Sequence, residues 1–266
     1  MAFYMEKMTV RDMKTALEQT KTVIIPVGIV EQHGYHLPLS TDIINAVKPP
    51  ELAGDRLNAV VAPPINYCFS GGELLGTVNV NPNVFGLYVS EICAEFIRMG
   101  FENLILLLGH GGTENTEALK NSLQLMLRRD HALADKITLS MMDAYAFSPT
   151  YRNRFSLNGE FDFHAGRTET SLMMYWVPEL VRDEIVMDDE DIARMMRTDP
   201  DWYAIHDKPI DHPYIVERIK QRDEIEVGVM GFPELATKEL GEKLSNEIVD
   251  GLVEYVDMLE NRRKAQ

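Results

Sequence analysis

Four short runs of almost unbroken apolar character punctuate the chain: Thr22 to Ile29 (TVIIPVGI), Ala59 to Ile65 (AVVAPPI), Leu104 to Leu108 (LILLL) and Ile137 to Met142 (ITLSMM). A strand with water on one face alternates apolar and polar residues, whereas a strand covered on both faces has no reason to alternate. The runs therefore predict parallel strands buried between layers. Between them apolar positions recur at helical spacing, over Val84 to Met99 (VFGLYVSEICAEFIRM), which Gly100 ends, and over Glu114 to Arg129 (ENTEALKNSLQLMLRR). Strand alternating with helix implies βαβ crossovers and an α/β fold, a three-layer α/β/α sandwich on a mainly parallel central sheet. Ligands of such folds gather outside the carboxyl ends of the strands, so the residues just after each apolar run are where chemistry is expected. Lys238 to Arg263 predicts a long amphipathic packing helix that leads into a basic tail, NRRKAQ. Asp188 to Pro213 is acidic and punctuated by proline, and reads as an excursion, a lid or subunit contact, from a single domain spanning 1–266.

Composition narrows the partners more than the fold. A chain of 266 residues with 45% hydrophobic and 26% charged residues is ordinary globular material with enough apolar side chains for one large core. The formal charge of −16 repels phosphate backbones and anionic bilayers, so neither nucleic acid nor a membrane surface is an expected partner. No apolar stretch approaches the roughly 20 residues that span a bilayer. Two cysteines, Cys68 and Cys93, cannot build a disulfide framework, and the start MAFYMEKMTV lacks a signal-peptide pattern. A reducing cytoplasm is the expected location.

Three clusters of chemistry-bearing residues follow predicted strands or open predicted helices. In PVGIVEQHGYHLPLSTD, Glu31 and His33 are two apart, so an extended chain carries both to the same side, and His36 and Asp42 follow closely. Taken singly each has an ordinary reading: Glu31 as a helix cap, His33 as a loop histidine, Asp42 as the N-cap of a helix beginning near Ile43. The second cluster, LLLGHGG, delivers His110 directly after LILLL. Gly111 and Gly112 remove side chains beside it, as a tight turn would, and let backbone amides approach a ligand. The third, DFHAGRTETS, places His164 and Glu169 in a loop feeding a helix, where Glu169 also suits the first-turn dipole. As a set, Glu31, His33, Asp42, His110 and Glu169 supply two imidazoles and three carboxylates. Such donors suit zinc, manganese or iron better than calcium, and a carboxylate such as Asp42 can bridge two ions.

EQHGYHLPLSTD, GHGGTEN and HAGRTETS resemble the creatininase (creatinine amidohydrolase) family, over about Val23 to Leu172. The resemblance implies a hydrolase with two divalent ions per chain, Asp42 bridging them, Glu31 and His110 on one ion, and His33 with a further glutamate on the other. It implies His164 as the proton-transferring residue, Ser70 of NYCFSGG at the substrate, retention of Gly76 and Thr77 of the family's Pro-Gly-Thr stretch, and a homohexamer. Creatininase itself carries a glutamate ligand where this chain has Gly112, so Glu169 or Glu114 must complete the set. Glu169 is preferred, because relatives with the His-Gly-Gly form keep the Glu-Thr-Ser stretch. The tryptophans that close over creatinine are also missing ahead of His164, the only tryptophans being Trp176 and Trp202, which points away from creatinine.

The expected chemistry is attack by a metal-activated water on a carbonyl, with the amides around Gly111 and Gly112 facing the oxyanion and His164 passing a proton to the leaving atom. The expected substrate is a small, polar, cyclic amide in a pocket lined by Ser70, Glu73, Thr77, Arg167 and His206. Hydrolytic C–C ring opening of a keto-inositol-type diketone is the alternative, and a non-catalytic scaffold with a closed ligand shell is the third reading.

Overall fold

The computed structural model describes residues 3–129 and 134–264. Five parallel strands form the central sheet in the order β1-β3-β2-β4-β5: β1 (Phe3–Tyr4), β2 (Thr22–Val27), β3 (Val60–Val61), β4 (Asn103–Leu108) and β5 (Thr138–Asp143). β2 and β4 lie side by side in register from Thr22↔Asn103 to Val27↔Leu108, and both are buried throughout. Their residues alternate between two cores, as period-two geometry requires. Val23, Ile25 and Val27 with Leu104, Leu106 and Leu108 face one core, and Ile24 with Ile105 and Leu107 face the other. The first core is closed by α1 (Val10–Gln19), α3 (Pro82–Met99) and α4 (Thr113–Arg129), the second chiefly by the final helix, Lys238–Lys264. These layers are the expected α/β/α sandwich.

Local chemistry sets the ends of the elements. Thr9 and Asp12 form a reciprocal capping box at α1, while α3 opens on an Asn81 cap with Pro82 behind it and stops at Gly100 in the left-handed region. The predicted strand Thr22 to Ile29 ends two residues early, at Val27, and Ala59 to Ile65 shrinks most. Pro63 and Pro64 have no N–H to donate, so β3 pairs only over Val60–Val61, and contact with β2 resumes at an isolated Val27↔Ile65 bridge.

Beyond β5 the chain runs through α5 (Pro149–Arg152), a hairpin of β6 (Ser156–Leu157) and β7 (Glu160–Phe161), α6 (Arg167–Trp176) and α7 (Glu190–Thr198). The predicted excursion 188–213 begins where Asp188 accepts the N–H groups of Glu226, Val227 and Gly228. It continues through α7 into β8 (Ala204–Asp207), which pairs antiparallel with β9 (Arg218–Gln221). The terminal helix α8 (Lys238–Lys264) matches the predicted one, and Ala265 and Gln266 of the basic tail lie outside the described residues. No helix among the described residues is long and apolar enough to cross a membrane.

α8 is fastened to the start of β2 by Glu260, which is only 2% exposed. Its Oε1 accepts from Thr22 Oγ1 (2.6 Å), Thr20 Oγ1 (3.0 Å) and the Lys21 N–H (3.0 Å), and Arg263 donates to Oε2 at 2.9 Å. Burial pushes this carboxyl up, but the donated hydrogen bonds outweigh it and hold Glu260 below the usual carboxylate range. Glu260→Ala leaves the buried hydroxyls without their acceptor and is expected to cost about 1–3 kcal/mol of stability at neutral pH in urea denaturation. A lowered folded-state pKa gives stability above the unfolded value that fades as pH falls through the folded one. The gap between wild type and variant should therefore close below about pH 4. A gap unchanged at low pH would show that the carboxylate charge is not its source.

Candidate metal centre

The loop after β2, the loop after β4 and the first turns of two helices converge at the carboxyl edge of the sheet. α2 (Thr41–Ala53) is pressed against the strand ends: a Cβ at Gly28 would lie 2.6 Å from Ile43 Cα, and one at Gly109 would lie 3.0 Å from Ala46 N. Only glycine permits that approach, which sets Asp42, the second residue of α2, between the two strand ends. Asp42 does not cap its helix. Its side chain turns inward, with Oδ1 3.3 Å from His33 Nε2 and Oδ2 3.2 Å from His110 Nδ1.

Three groupings of candidate ligands result, one of Glu31, His33 and His164 and two triads that share Asp42. Glu31, Asp42 and His110 form one, with Glu31 Oε2 3.0 Å from His110 Nδ1. His33, Asp42 and Glu169 form the other, with Glu169 Oε2 3.6 Å from His33 Nε2. In each triad one ligand atom per residue lies within 4.8 Å of the others. Three of the donors are held from behind: His33 Nδ1–H donates to the Glu31 carbonyl (3.2 Å), which turns Nε2 to the cluster, and the Ser70 hydroxyl donates to Glu31 Oε1. Glu169 accepts from Tyr145 Oη (2.8 Å) and the Ala165 N–H (2.7 Å). That last bond depends on Ala165 adopting φ 53°, a left-handed conformation that bends the chain between His164 and α6.

The donor set fits divalent cations. Glu31 Oε2, Asp42 Oδ2 and His33 Nε2 are buried without a hydrogen-bond partner, an arrangement that is costly unless positive charge or a metal completes it. The charges point the same way. Burial opposes a proton on His33, yet Asp42 and Glu169 push it up to about 10, and Glu31 and Asp42 likewise raise His110 well above the imidazole range. Burial raises Glu169 to about 7 against the pull of His33, while the two imidazoles overcome burial at Asp42 and keep it ionised.

The sequence-predicted residues divide clearly. Glu31, His33, Asp42, His110 and Glu169 come together, whereas Glu114 is in neither triad and accepts from Tyr203 Oη at 3.1 Å. His164 stands beside them, its ring centroid 4.1 Å from that of His33 and its Nε2–H donating to the Gln32 carbonyl at 2.8 Å. Burial and His33 push it down to about 4, so its imidazole is neutral at pH 7. His36 is structural: its Nε2 lies 3.1 Å from Thr170 Oγ1 and 3.2 Å from the Ala165 carbonyl.

A cavity of about 320 Å³ opens over the triads, lined by Glu31, Asp42, His110, Glu169, His164, Ser70, Gly111 and Gly112, with His33 buried behind. The other expected polar residues lie elsewhere. Thr77 Oγ1 accepts the Gln32 N–H, Glu73 is exposed, and His206 faces Glu217 at 3.5 Å with 48% of its side chain in solvent. The rest of the wall combines Leu74, Tyr151, Phe163 and Met230 with the polar Gln32, Asp143, Thr168, Asp201 and Gln221. Asp143, the last residue of β5, and Tyr145, two residues on, were unforeseen from the sequence and line the cavity, so the rule that drew attention to His110 after β4 would have found them.

A parallel α/β sheet with a cavity over a buried carboxylate–imidazole cluster at its carboxyl edge has its site where α/β folds bind their ligands. The chain belongs to the creatininase family: the family model described as creatinine amidohydrolase matches residues 6–256, which makes the protein a creatininase-family hydrolase. It is 30% identical to the mycofactocin precursor peptide peptidase of Mycolicibacterium smegmatis, over 88% of this chain and 83% of that one. It is 25% identical to the creatinine amidohydrolase of Pseudomonas putida, over 88% of each. A solved structure described as "Creatininase Mn" has the same fold, with a TM-score of 0.75 at 20% identity over 98% of this chain and 99% of that one.

The two candidates for the last ligand can be told apart by metal analysis after loading with manganese. Glu169→Gln keeps the size of the side chain and removes its charge, so it is expected to lower the ion content per chain, whereas Glu114→Gln leaves it intact. Asp42→Ala should lose both ions. The reverse pattern for the two glutamates would move the assignment to Glu114.

Proposed function

We propose that this hydrolase cleaves the C–N bond of a small amide, and that two divalent ions per chain are held by Glu31, His110 and Asp42 and by His33, Glu169 and Asp42. The observation that carries the reading is the pair of triads sharing Asp42 beneath one substrate-sized cavity. Bound there, such a pair supplies Lewis acidity and a water that deprotonates near neutral pH. The protein's own groups supply the rest. Asp42 keeps one oxygen toward each triad, Ser70 and Tyr145 fix Glu31 and Glu169, and the amides at Gly111 and Gly112 face the oxygen that gains charge when water adds to the carbonyl carbon. His164, neutral at pH 7, takes a proton and returns it to the nitrogen as the C–N bond breaks.

The amide is the first reading and the keto-inositol the alternative: Leu74, Tyr145, Phe163 and Met230 give the cavity a side that suits a planar or partly apolar substrate, while Gln32, Asp143, Thr168, Asp201 and Gln221 offer partners to polar substituents. The names of the peptidase and amidohydrolase relatives denote C–N hydrolysis, the 3-dehydro-scyllo-inosose hydrolase of Thermotoga maritima, 26% identical over 70% of this chain, supports the ring-opening alternative, and "Creatininase Mn" supports manganese as the first metal to try, with zinc and iron after it. The reading includes a homo-oligomer, hexameric by the family resemblance, in a reducing cytoplasm, where the buried free thiols of Cys68 and Cys93 stay reduced.

The test is a panel of creatinine, formamides, lactams, short peptides and keto-inositols, assayed with manganese- or zinc-loaded protein. Turnover is expected among the amides, and turnover of the keto-inositols alone would sink the proposal. His164→Asn is expected to keep its metal and its fold yet slow turnover by about 10²- to 10⁴-fold. Loss of an ion in this variant would make His164 a ligand instead.

A further inference from the structure

A second cavity, of about 360 Å³, adjoins the first, and the two share Asp143, Tyr151, Asp162, Phe163 and Thr168 as lining. Its character is opposite. Where the first gathers carboxylates, the second is lined by three arginines, Arg152 at the end of α5, Arg154 just after it and Arg167 at the start of α6. In a chain of net charge −16, a guanidinium readily finds a carboxylate, as Arg197 does with Glu160 (2.5 Å) and Glu190 (2.8 Å). Among the described residues, none of the three has a carboxylate oxygen within 4.0 Å.

The two acids that line this cavity are both engaged elsewhere: Asp143 accepts the Tyr145 N–H (2.9 Å) and the Tyr151 hydroxyl (3.5 Å), and Asp162 is fully occupied. Its oxygens accept the Arg167 N–H (2.7 Å), the Thr168 N–H and hydroxyl (both 2.9 Å) and the Phe232 N–H (3.2 Å). The Arg167 guanidinium is half-buried and lies 4.3 Å over the Phe155 ring, which fixes its plane. Arg154 adopts φ 30°, a left-handed conformation that an L residue takes only when its surroundings impose it. An unpaired guanidinium fixed against an aromatic ring, as Arg167's is, matches a planar anionic oxygen group, and Arg152 and Arg154 add positive charge at the rim.

We propose that this cavity binds an anionic oxygen group of the substrate, a carboxylate or a phosphate, through Arg167 with Arg152 and Arg154, while the amide occupies the adjoining cavity. The inference rests on the amide-hydrolase reading and narrows it to amides that carry an acid group away from the scissile bond. Arg167 contributes most, being half-buried, whereas Arg152 and Arg154 at the exposed rim contribute less.

The test measures binding, not turnover, by calorimetry on manganese-loaded protein with two matched pairs of different length. One pair is pyroglutamate and 2-pyrrolidinone, the other N-formylglycylglycine and its carboxamide, and inorganic phosphate is titrated separately. Wild type should prefer the carboxylate member of at least one pair by about 10- to 100-fold, or bind phosphate. Arg167→Gln should remove most of that preference while binding of the uncharged member and manganese content stay as they were. Arg154→Gln, at an exposed position, should reduce it by a smaller factor and serves if Arg167→Gln fails to fold.

Phosphate binding lost in Arg167→Gln, with no carboxylate preference, supports the site and names phosphate as the group. Absence of both effects in wild type overturns the proposal. So does a preference that survives both substitutions, since the anion would then sit on the metal. Arginine-dependent binding without hydrolysis of any amide would defeat the amide reading alone, and amide turnover without arginine-dependent binding would defeat only this inference.

Discussion

The site depends on how closely the first turn of α2 approaches the ends of β2 and β4. Gly28 and Gly109 set that distance, and through it they set Asp42, whose two oxygens face different imidazoles. A displaced α2 would leave His33 and His110 each with one carboxylate fewer and would separate the triads. Three carboxylates buried together repel one another by far more than any single hydrogen bond returns, so the cluster is stable only with positive charge among them. The raised His33 and His110 express that demand in protons, and a pair of divalent ions would meet it more fully.

Much of this was legible in the sequence because it is local. Glu31 and His33, His110, and Glu169 each sit in a contiguous motif directly after a strand or at the opening of a helix, where position along the chain and position in space nearly coincide. The sheet was legible for a related reason, since strands covered on both faces advertise themselves by unbroken apolar runs. β3 was overestimated because the run AVVAPPI is apolar throughout but loses two backbone donors to proline, a matter of hydrogen bonding that hydrophobicity does not register. The cavity wall was not legible. Leu74, Ile225 and Met230 come from loops far apart in sequence, and nothing local marks them as neighbours. Polar candidates chosen by side-chain type alone, Glu73 and His206 among them, turned out to be surface residues.

The region after β5 does for the substrate what the sheet edge does for the cluster. Pro200, Asp201 and Tyr203 of the former excursion reach back over the cavity, and Gln221 of β9 accepts the Glu73 N–H at 2.5 Å, so the β8–β9 hairpin is tied to the loop that carries Ser70. The same region also contributes His164 and Glu169 to the cluster, so it both completes the site and walls the cavity above it.

Glu260 adds a consequence for how the protein comes into being. The hydroxyls of Thr20 and Thr22 at the root of β2 receive their acceptor from a residue 240 and 238 positions further along the chain, and Ile24 waits for the same helix to cover it. A ribosome delivers β2, β4 and every member of both triads well before α8 appears. The nascent sheet therefore spends most of its synthesis with one face bare, a period in which its apolar side is open to other chains or to a chaperone. Order at the centre arrives late, when the last turns of the last helix emerge and seal the strand from which the first motif springs.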